Sequence, residues 1–279
     1  MFERLGIRAL RRSRYRPELC GAPLHWLGMP HVPRYRAVLF DAGETLLAPH
    51  PSFGEIFAAV LRECGHAVDL DEVEEARHLI GANLDDLVAG AGLTTWSTSR
   101  EYSRRFWRSI YAVIFDRLGI DDHDGRIFEA LYHRFTRFES YRLFPDVLPT
   151  IRAIRGAGVM VGLISNFEEW LEEMLTAWEV MSLFAPVVIS GREGVEKPDP
   201  AIFRLAVERA GVAAEECVYV GDHPRIDAEA AEAVGMGSIL IDRRGHHPDH
   251  SGPRVASLSE ILPLIGVEPL DPERSGSGA

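Results

Sequence analysis

The sequence predicts an α/β protein, a doubly wound parallel sheet with a helical domain inserted after its first strand. Three observations lead there. Short unbroken apolar runs recur along the chain, and most end in a residue able to do chemistry. Segments of helical periodicity separate them. One interval between runs is far longer than an ordinary crossover needs. Continuous apolar runs suit strands buried on both faces, and strands alternating with helices build βαβ units.

The strands are expected in this order. Residues 37–41 (Ala-Val-Leu-Phe-Asp) end in an acid. Residues 159–164 lead into Ser165-Asn166. Residues 186–190 (Pro-Val-Val-Ile-Ser) form the third run. Residues 217–221 (Cys-Val-Tyr-Val-Gly) lead into Asp222, and residues 238–241 lead into Asp242. Helices are expected over 145–157, 167–180, 199–210 and 225–234. In such sheets ligands bind beyond the carboxyl ends of the strands, which is where Asp41, Ser165 and Asp222 fall.

From Thr45 to Ser165 the chain runs 120 residues, whereas a βαβ unit takes about 30. Most of the span has a period near 3.6, over 54–64, 71–90, 100–118 and 124–140, with Tyr102, Phe106, Ile110 and Val113–Ile114 on one face of the third segment. The expected organisation is therefore a basic N-terminal extension (1–34), an α/β core (35–51 and 143–268), a helical insertion (52–142) and a disordered tail (269–279). Hinges are expected near Pro49–Pro51 and Leu143–Pro145.

Composition narrows the function. With 46% hydrophobic residues the chain can bury a core, and no apolar run approaches the ~18 residues of a membrane span. No signal peptide is read at the N-terminus. The three cysteines, Cys20, Cys64 and Cys217, are too scattered for a disulfide or metal framework, so a reducing, cytoplasmic setting is expected. Net charge is −12, yet residues 1–36 hold eight Arg against two Glu, so the body is strongly acidic and unsuited to nucleic acid. Neither Gly-x4-Gly-Lys-Ser/Thr nor Gly-x-Gly-x-x-Gly occurs. Of 30 basic residues only Lys197 is Lys. A compact ammonium between two oxyanions is a task a planar guanidinium performs poorly.

Four elements assemble the chemistry. They are Phe40-Asp41-Ala42-Gly43-Glu44-Thr45-Leu46, then Leu163-Ile164-Ser165-Asn166, then Gly194-Val195-Glu196-Lys197-Pro198-Asp199-Pro200, and Val220-Gly221-Asp222-His223-Pro224-Arg225-Ile226-Asp227. In this order, on strand ends, they resemble the motifs of the haloacid dehalogenase-like (HAD) hydrolase superfamily over about residues 35–245. The placement of the insertion resembles the helical cap of its haloacid-dehalogenase-type branch.

The resemblance implies a phosphatase for a small phosphate monoester, with Mg²⁺ as cofactor and an aspartyl-phosphate intermediate. It makes Asp41 the nucleophile, has Ser165 hold a phosphoryl oxygen, and sets Lys197 between nucleophile and phosphoryl group. Ser165, Asn166 and Lys197 would contact substrate, while Asp41, the Gly43 carbonyl, Asp222 and Asp227 would hold the metal. The residues support this chemistry on their own terms. A carboxylate attacking a phosphate dianion needs its repulsion neutralised, by a hard cation on carboxylates and by a fixed ammonium.

One position departs from the pattern. Family phosphatases carry a second Asp two residues after the nucleophile as general acid and base, and here that position is Gly43. Its carbonyl can ligate a metal, but it has no side chain to move a proton, which forgoes help worth ~10²–10⁴-fold. Glu44 is adjacent, yet neighbouring side chains of an extended segment point apart. Two alternatives stay open. One is a metal-independent 2-haloacid dehalogenase-type hydrolase, whose relatives also lack the second Asp. The other is a non-catalytic HAD-fold binder of a phospholigand or a protein. His223 is expected to be a turn residue, and His246, His247 and His250 a solvated loop.

Overall fold

A computed structural model of the chain describes residues 33–82, 92–93 and 95–269. The basic extension up to residue 32 and the tail beyond 269, with the readings made of them, lie outside the described residues.

The first strand, β1, is Ala37–Phe40, and Asp41 follows it directly. Two short strands, β2 (Leu47–Pro49) and β3 (Tyr141–Leu143), pair antiparallel. Between them lie the helices α1 (Phe53–Glu63), α2 (Leu70–Ala82), α3 (Arg100–Leu118) and α4 (Arg126–Phe135). The chain then alternates: α5 (Val147–Gly156), β4 (Met160–Ser165), α6 (Trp170–Ala177), β5 (Val187–Ile189), α7 (Pro200–Ala210), β6 (Cys217–Gly221), β7 (Gly237–Ile241) and β8 (Arg254–Val255).

The main sheet has the order β5-β4-β1-β6-β7-β8, and every pairing in it is parallel. Residue alternation decides its two faces. Val38, Phe40, Val161, Leu163, Val218 and Val220 enter one apolar cluster with α5 and α6. Ala37, Leu39, Ile164, Val188, Cys217 and Tyr219 enter another with α7. Both faces are covered, which is why the strands read as unbroken apolar runs. The register sets Phe40 beside Leu163 and Val220, so Asp41, Ser165 and Asp222 emerge at one edge.

The inserted helices have a core of their own. Phe57, Val60, Leu61, Ile110, Tyr111, Ile114, Phe128 and Leu131 pack together, and no sheet residue is among the buried members of this cluster. Ser52 and Ser99 cap α1 and α3 by accepting from the N–H three residues on. The chain enters these helices through β2 and leaves them through β3, and they pack on one another in an apolar cluster of their own.

Local expectations differ in four places. Residues 225–234 begin as a wide π-type turn over Pro224–Glu229 before regular helix at Ala230–Glu232. The segment expected to be helical to 140 stops at Phe135, because the Tyr141 hydroxyl and the Ser140 hydroxyl donate to the carbonyls of Phe135 and Arg134. Tyr102 stays 38% exposed, outside the face that Phe106, Ile110 and Ile114 bury. Strands β2, β3 and β8, with only two or three residues each, were too short to register as apolar runs.

Candidate active site

β1 delivers Asp41, whose backbone N–H donates to the Val220 carbonyl and locks the loop to β6. The carboxylate is buried. The loop after β5 delivers Lys197, 3% exposed, whose Nζ lies 2.7 Å from Asp41 Oδ1, 2.6 Å from Asp227 Oδ1 and 2.9 Å from the Tyr219 hydroxyl. An ammonium has three protons to donate, and here all three have a partner. Its two carboxylate neighbours outweigh burial and hold it above the ordinary lysine range, so it stays charged.

Asp227 comes from the first turn after β6. Its second oxygen accepts the His223 N–H at 2.9 Å, and its first also receives the Tyr219 hydroxyl at 3.2 Å. Gly221 makes the space for it: a Cβ there would sit 2.4 Å from Asp227 Cγ. Asp222 lies alongside, half-buried. Burial, reinforced by the charges of Asp227 and Asp41, pushes its carboxyl well above the usual carboxylate range. Burial raises Asp41 as well, against the pull of Lys197. One oxygen from each of Asp41, Asp222 and Asp227 lies within 4.8 Å of the others. Such a set of crowded carboxylate oxygens fits a hard divalent cation, which would relieve their repulsion.

Ser165 ends β4, buried beside this group. Asn166, expected to contact substrate, also braces the Lys197 backbone. Its Nδ2 donates to the Lys197 carbonyl at 2.8 Å and its Oδ1 accepts the Lys197 N–H at 2.7 Å. It fixes the backbone that aims the ammonium. At Gly43 an added Cβ would meet nothing within 4 Å. The Gly43 carbonyl accepts the Thr45 N–H at 2.6 Å and keeps a second lone pair. In the same loop the Thr45 hydroxyl is buried without a hydrogen-bond partner among the described residues.

Glu44 is not in an extended segment: its φ is +52°. Its carboxylate pairs with Arg244 at 2.9 Å. His223 caps the turn that follows it, its Nδ1 accepting from the N–H groups of Arg225 and Ile226. Burial holds its imidazole below the usual histidine range. Asp242 accepts from the N–H groups of His246 and His247 and pairs with Arg254, shaping the histidine loop as a turn.

These motifs, and their spacing along the chain, are those of a known family of hydrolases. Residues 35–235 match the family model for haloacid dehalogenase-like hydrolases. The chain belongs to that family.

Among relatives, the zebrafish (Danio rerio) haloacid dehalogenase-like hydrolase domain-containing protein 3 is 30% identical over 77% of this HAD hydrolase and 88% of its own length. Glyceraldehyde 3-phosphate phosphatase of Methanopyrus kandleri is 33% identical over 77% and 86%. Phosphoglycolate phosphatase of Escherichia coli is 28% identical over 83% and 93%. In fold, the magnesium-bound HAD hydrolase YfnB of Bacillus subtilis superposes with a TM-score of 0.66 at 16% identity, over 83% of this chain and 99% of that one.

Three residues of the HAD site escaped the sequence reading. Tyr219 sits inside an apolar strand run, where its hydroxyl was the sole signal. Glu196, adjacent to Lys197, accepts the Trp96 N–H at 3.0 Å, the Ser97 N–H at 2.7 Å and the Ser97 hydroxyl at 2.6 Å. It ties the insertion to the loop that carries Lys197. Glu168, just past Asn166, is buried under the insertion with its two oxygens 3.0 Å from the Tyr132 hydroxyl. Glu196 stood in the third motif without a role of its own and Glu168 in none, because each acquires its role from a partner distant in sequence.

Proposed function

We propose that this HAD hydrolase is a phosphatase for a small phosphate monoester, that Asp41 carries the phosphoryl group between two steps, and that the helical insertion 52–142 is a cap over the site. The observation that carries the reading is the position of Lys197 Nζ between Asp41 and Asp227. In the first step an Asp41 carboxylate oxygen attacks phosphorus, and the bond from phosphorus to the leaving oxygen breaks. Lys197 offsets the charge where nucleophile and phosphoryl oxygens meet. Ser165 donates its hydroxyl to a phosphoryl oxygen. In the second step water attacks the same phosphorus, the Asp41–phosphorus bond breaks, and phosphate leaves.

Asp41, Asp222, Asp227 and the Gly43 carbonyl are the groups that would hold Mg²⁺. When bound, it would neutralise phosphate charge and so let a carboxylate approach. Asp227 also anchors Lys197, so it ties the cation site to the ammonium. Gly43 gives the leaving oxygen no proton. The enzyme therefore favours esters whose leaving group is stable as an anion.

The test is a comparison of p-nitrophenyl phosphate with an alkyl phosphate, with and without Mg²⁺, in the parent and in Asp41→Asn. The reading expects Mg²⁺-dependent release from the nitrophenyl ester and none from Asp41→Asn. Metal-independent release of halide from 2-haloacids, without phosphatase activity, would favour the dehalogenase alternative. Tight phospholigand binding without turnover would favour the non-catalytic one.

A further inference from the structure

Between the insertion and the core lies a cavity of about 170 Å³. That is close to the ~150 Å³ known to hold a benzene molecule. Its walls are aromatic, with Trp96, Phe106 and Trp107 from the insertion and Tyr141, Phe167 and Trp170 from the core side. Two lining residues join it to the catalytic group. Asn166 grips the Lys197 backbone, and Ser97 is held by Glu196 next to Lys197. These contacts set the cavity beside the backbone that aims Lys197.

One charged side chain lines it. Glu168 is 5% exposed and is held by the Tyr132 hydroxyl. Among the described residues it has no cation within ion-pair distance; the exposed Arg100 acts on it only from farther off. Burial pushes its carboxyl above the usual range, with Ser103, Tyr132 and Arg100 acting against that. Arg100 reaches the Tyr132 hydroxyl rather than the carboxylate itself, and a buried carboxylate with its cation beyond ion-pair distance is an arrangement that a closer bound cation relieves. Aromatic walls also attract cations, quaternary ammonium groups above all.

We infer that the cavity holds an alkylammonium group, and that the substrate is the phosphate monoester of a small amino alcohol, turned over slowly because Gly43 offers its alkoxide no proton. This rests on the phosphatase reading only for the phosphate half. The cavity's preference for a cation is a separate property with its own readout.

The test pairs a cation with its neutral isostere. Binding of choline and of 3,3-dimethylbutanol to the whole protein is followed by tryptophan fluorescence, since Trp96, Trp107 and Trp170 line the cavity. Choline should bind at least ~10-fold more tightly, the scale of one desolvated cation–aromatic contact together with charge pairing. Glu168→Gln should bring the two affinities together. Turnover is then compared for phosphocholine and 3,3-dimethylbutyl phosphate, and kcat/KM should favour phosphocholine by a similar factor. Equal binding of choline and its isostere, or no binding of either, overturns the inference even if p-nitrophenyl phosphate is hydrolysed. Choline preference without hydrolysis of any phosphate ester upholds the cation site and overturns the phosphatase reading instead.

Discussion

Lys197 Nζ stands 2.7 Å from Asp41 Oδ1, and each residue reaches that point from a loop held at the carboxyl edge of the sheet. The pair is buried, so removing one partner strands the other. Breaking a buried pair of this kind costs about 3–5 kcal/mol. Lys197→Met should lose phosphatase activity and lower the melting temperature at neutral pH. Without the ammonium, which pulls the Asp41 carboxyl down against burial, that carboxyl binds a proton more readily. The deficit should therefore shrink as the pH falls, since protonation removes its stranded charge. Thermal melts of both proteins from neutral to mildly acidic pH check this.

Asp222 sets a second pH dependence. Its folded carboxyl is raised well above the value an unfolded chain would show, chiefly by burial. The sign follows. Its stabilising contribution is complete below the unfolded carboxylate range and is lost as pH rises through the raised value. Without metal, melting temperature should decline on this account as pH rises above the ordinary carboxylate range. Mg²⁺ should raise it increasingly as pH rises, because carboxylate ligands must be deprotonated to bind. Asp222→Asn should remove both the decline and the Mg²⁺ response. A full Mg²⁺ response in that variant would take Asp222 out of the metal site.

Gly43 offers a gain-of-function test. The space beside its Cα is open, so the Cβ that Gly43→Asp adds meets no neighbour within 4 Å. The new carboxyl should protonate leaving alkoxides and then position water. Turnover of alkyl phosphates should rise within the ~10²–10⁴-fold range of general acid–base catalysis, with a smaller gain for p-nitrophenyl phosphate. If the parent already cleaves alkyl phosphates quickly and the variant adds nothing, another group supplies the proton.

Glu196 is the tie between insertion and core. It receives two backbone N–H groups and a hydroxyl from Trp96 and Ser97. Hydrogen bonds to a charged group contribute about 1.5–3 kcal/mol each. Glu196→Ala should speed hydrogen exchange at the Trp96 and Ser97 amides, and raise KM through a loosened cavity wall. Unchanged exchange at both amides would show that the loop is held by other contacts.

The core of the fold was legible because both faces of the sheet are covered. A strand such as Val218–Val220 must then be apolar throughout, and only its end is free to carry chemistry. Asp41, Ser165, Lys197, Asp222 and Asp227 were readable for that reason, each standing just past such a run or in a short motif. Asn166 has a partner that a local motif cannot show: its amide exchanges two hydrogen bonds with the backbone of Lys197, 31 residues on. Tyr219 was hidden because its ring is an ordinary member of an apolar strand, while its hydroxyl matters only once Lys197 arrives. Glu168 and Glu196 depend on contacts with the insertion, and no sequence period records those. The two-residue and three-residue strands carried too few positions to show a pattern.

The central claim is that Asp41 carries the phosphoryl group. The most direct measurement is to quench the Mg²⁺-loaded enzyme with acid during turnover of p-nitrophenyl phosphate, reduce it with borohydride, and analyse its peptides by mass spectrometry. An acyl phosphate is reduced to an alcohol while a free carboxylate is not. The mechanism predicts homoserine in place of Asp41, and no such change in the Asp41→Asn protein or without substrate. Sustained phosphate release with Asp41 unmodified at every quench time, and with Asp41→Asn still active, would contradict it.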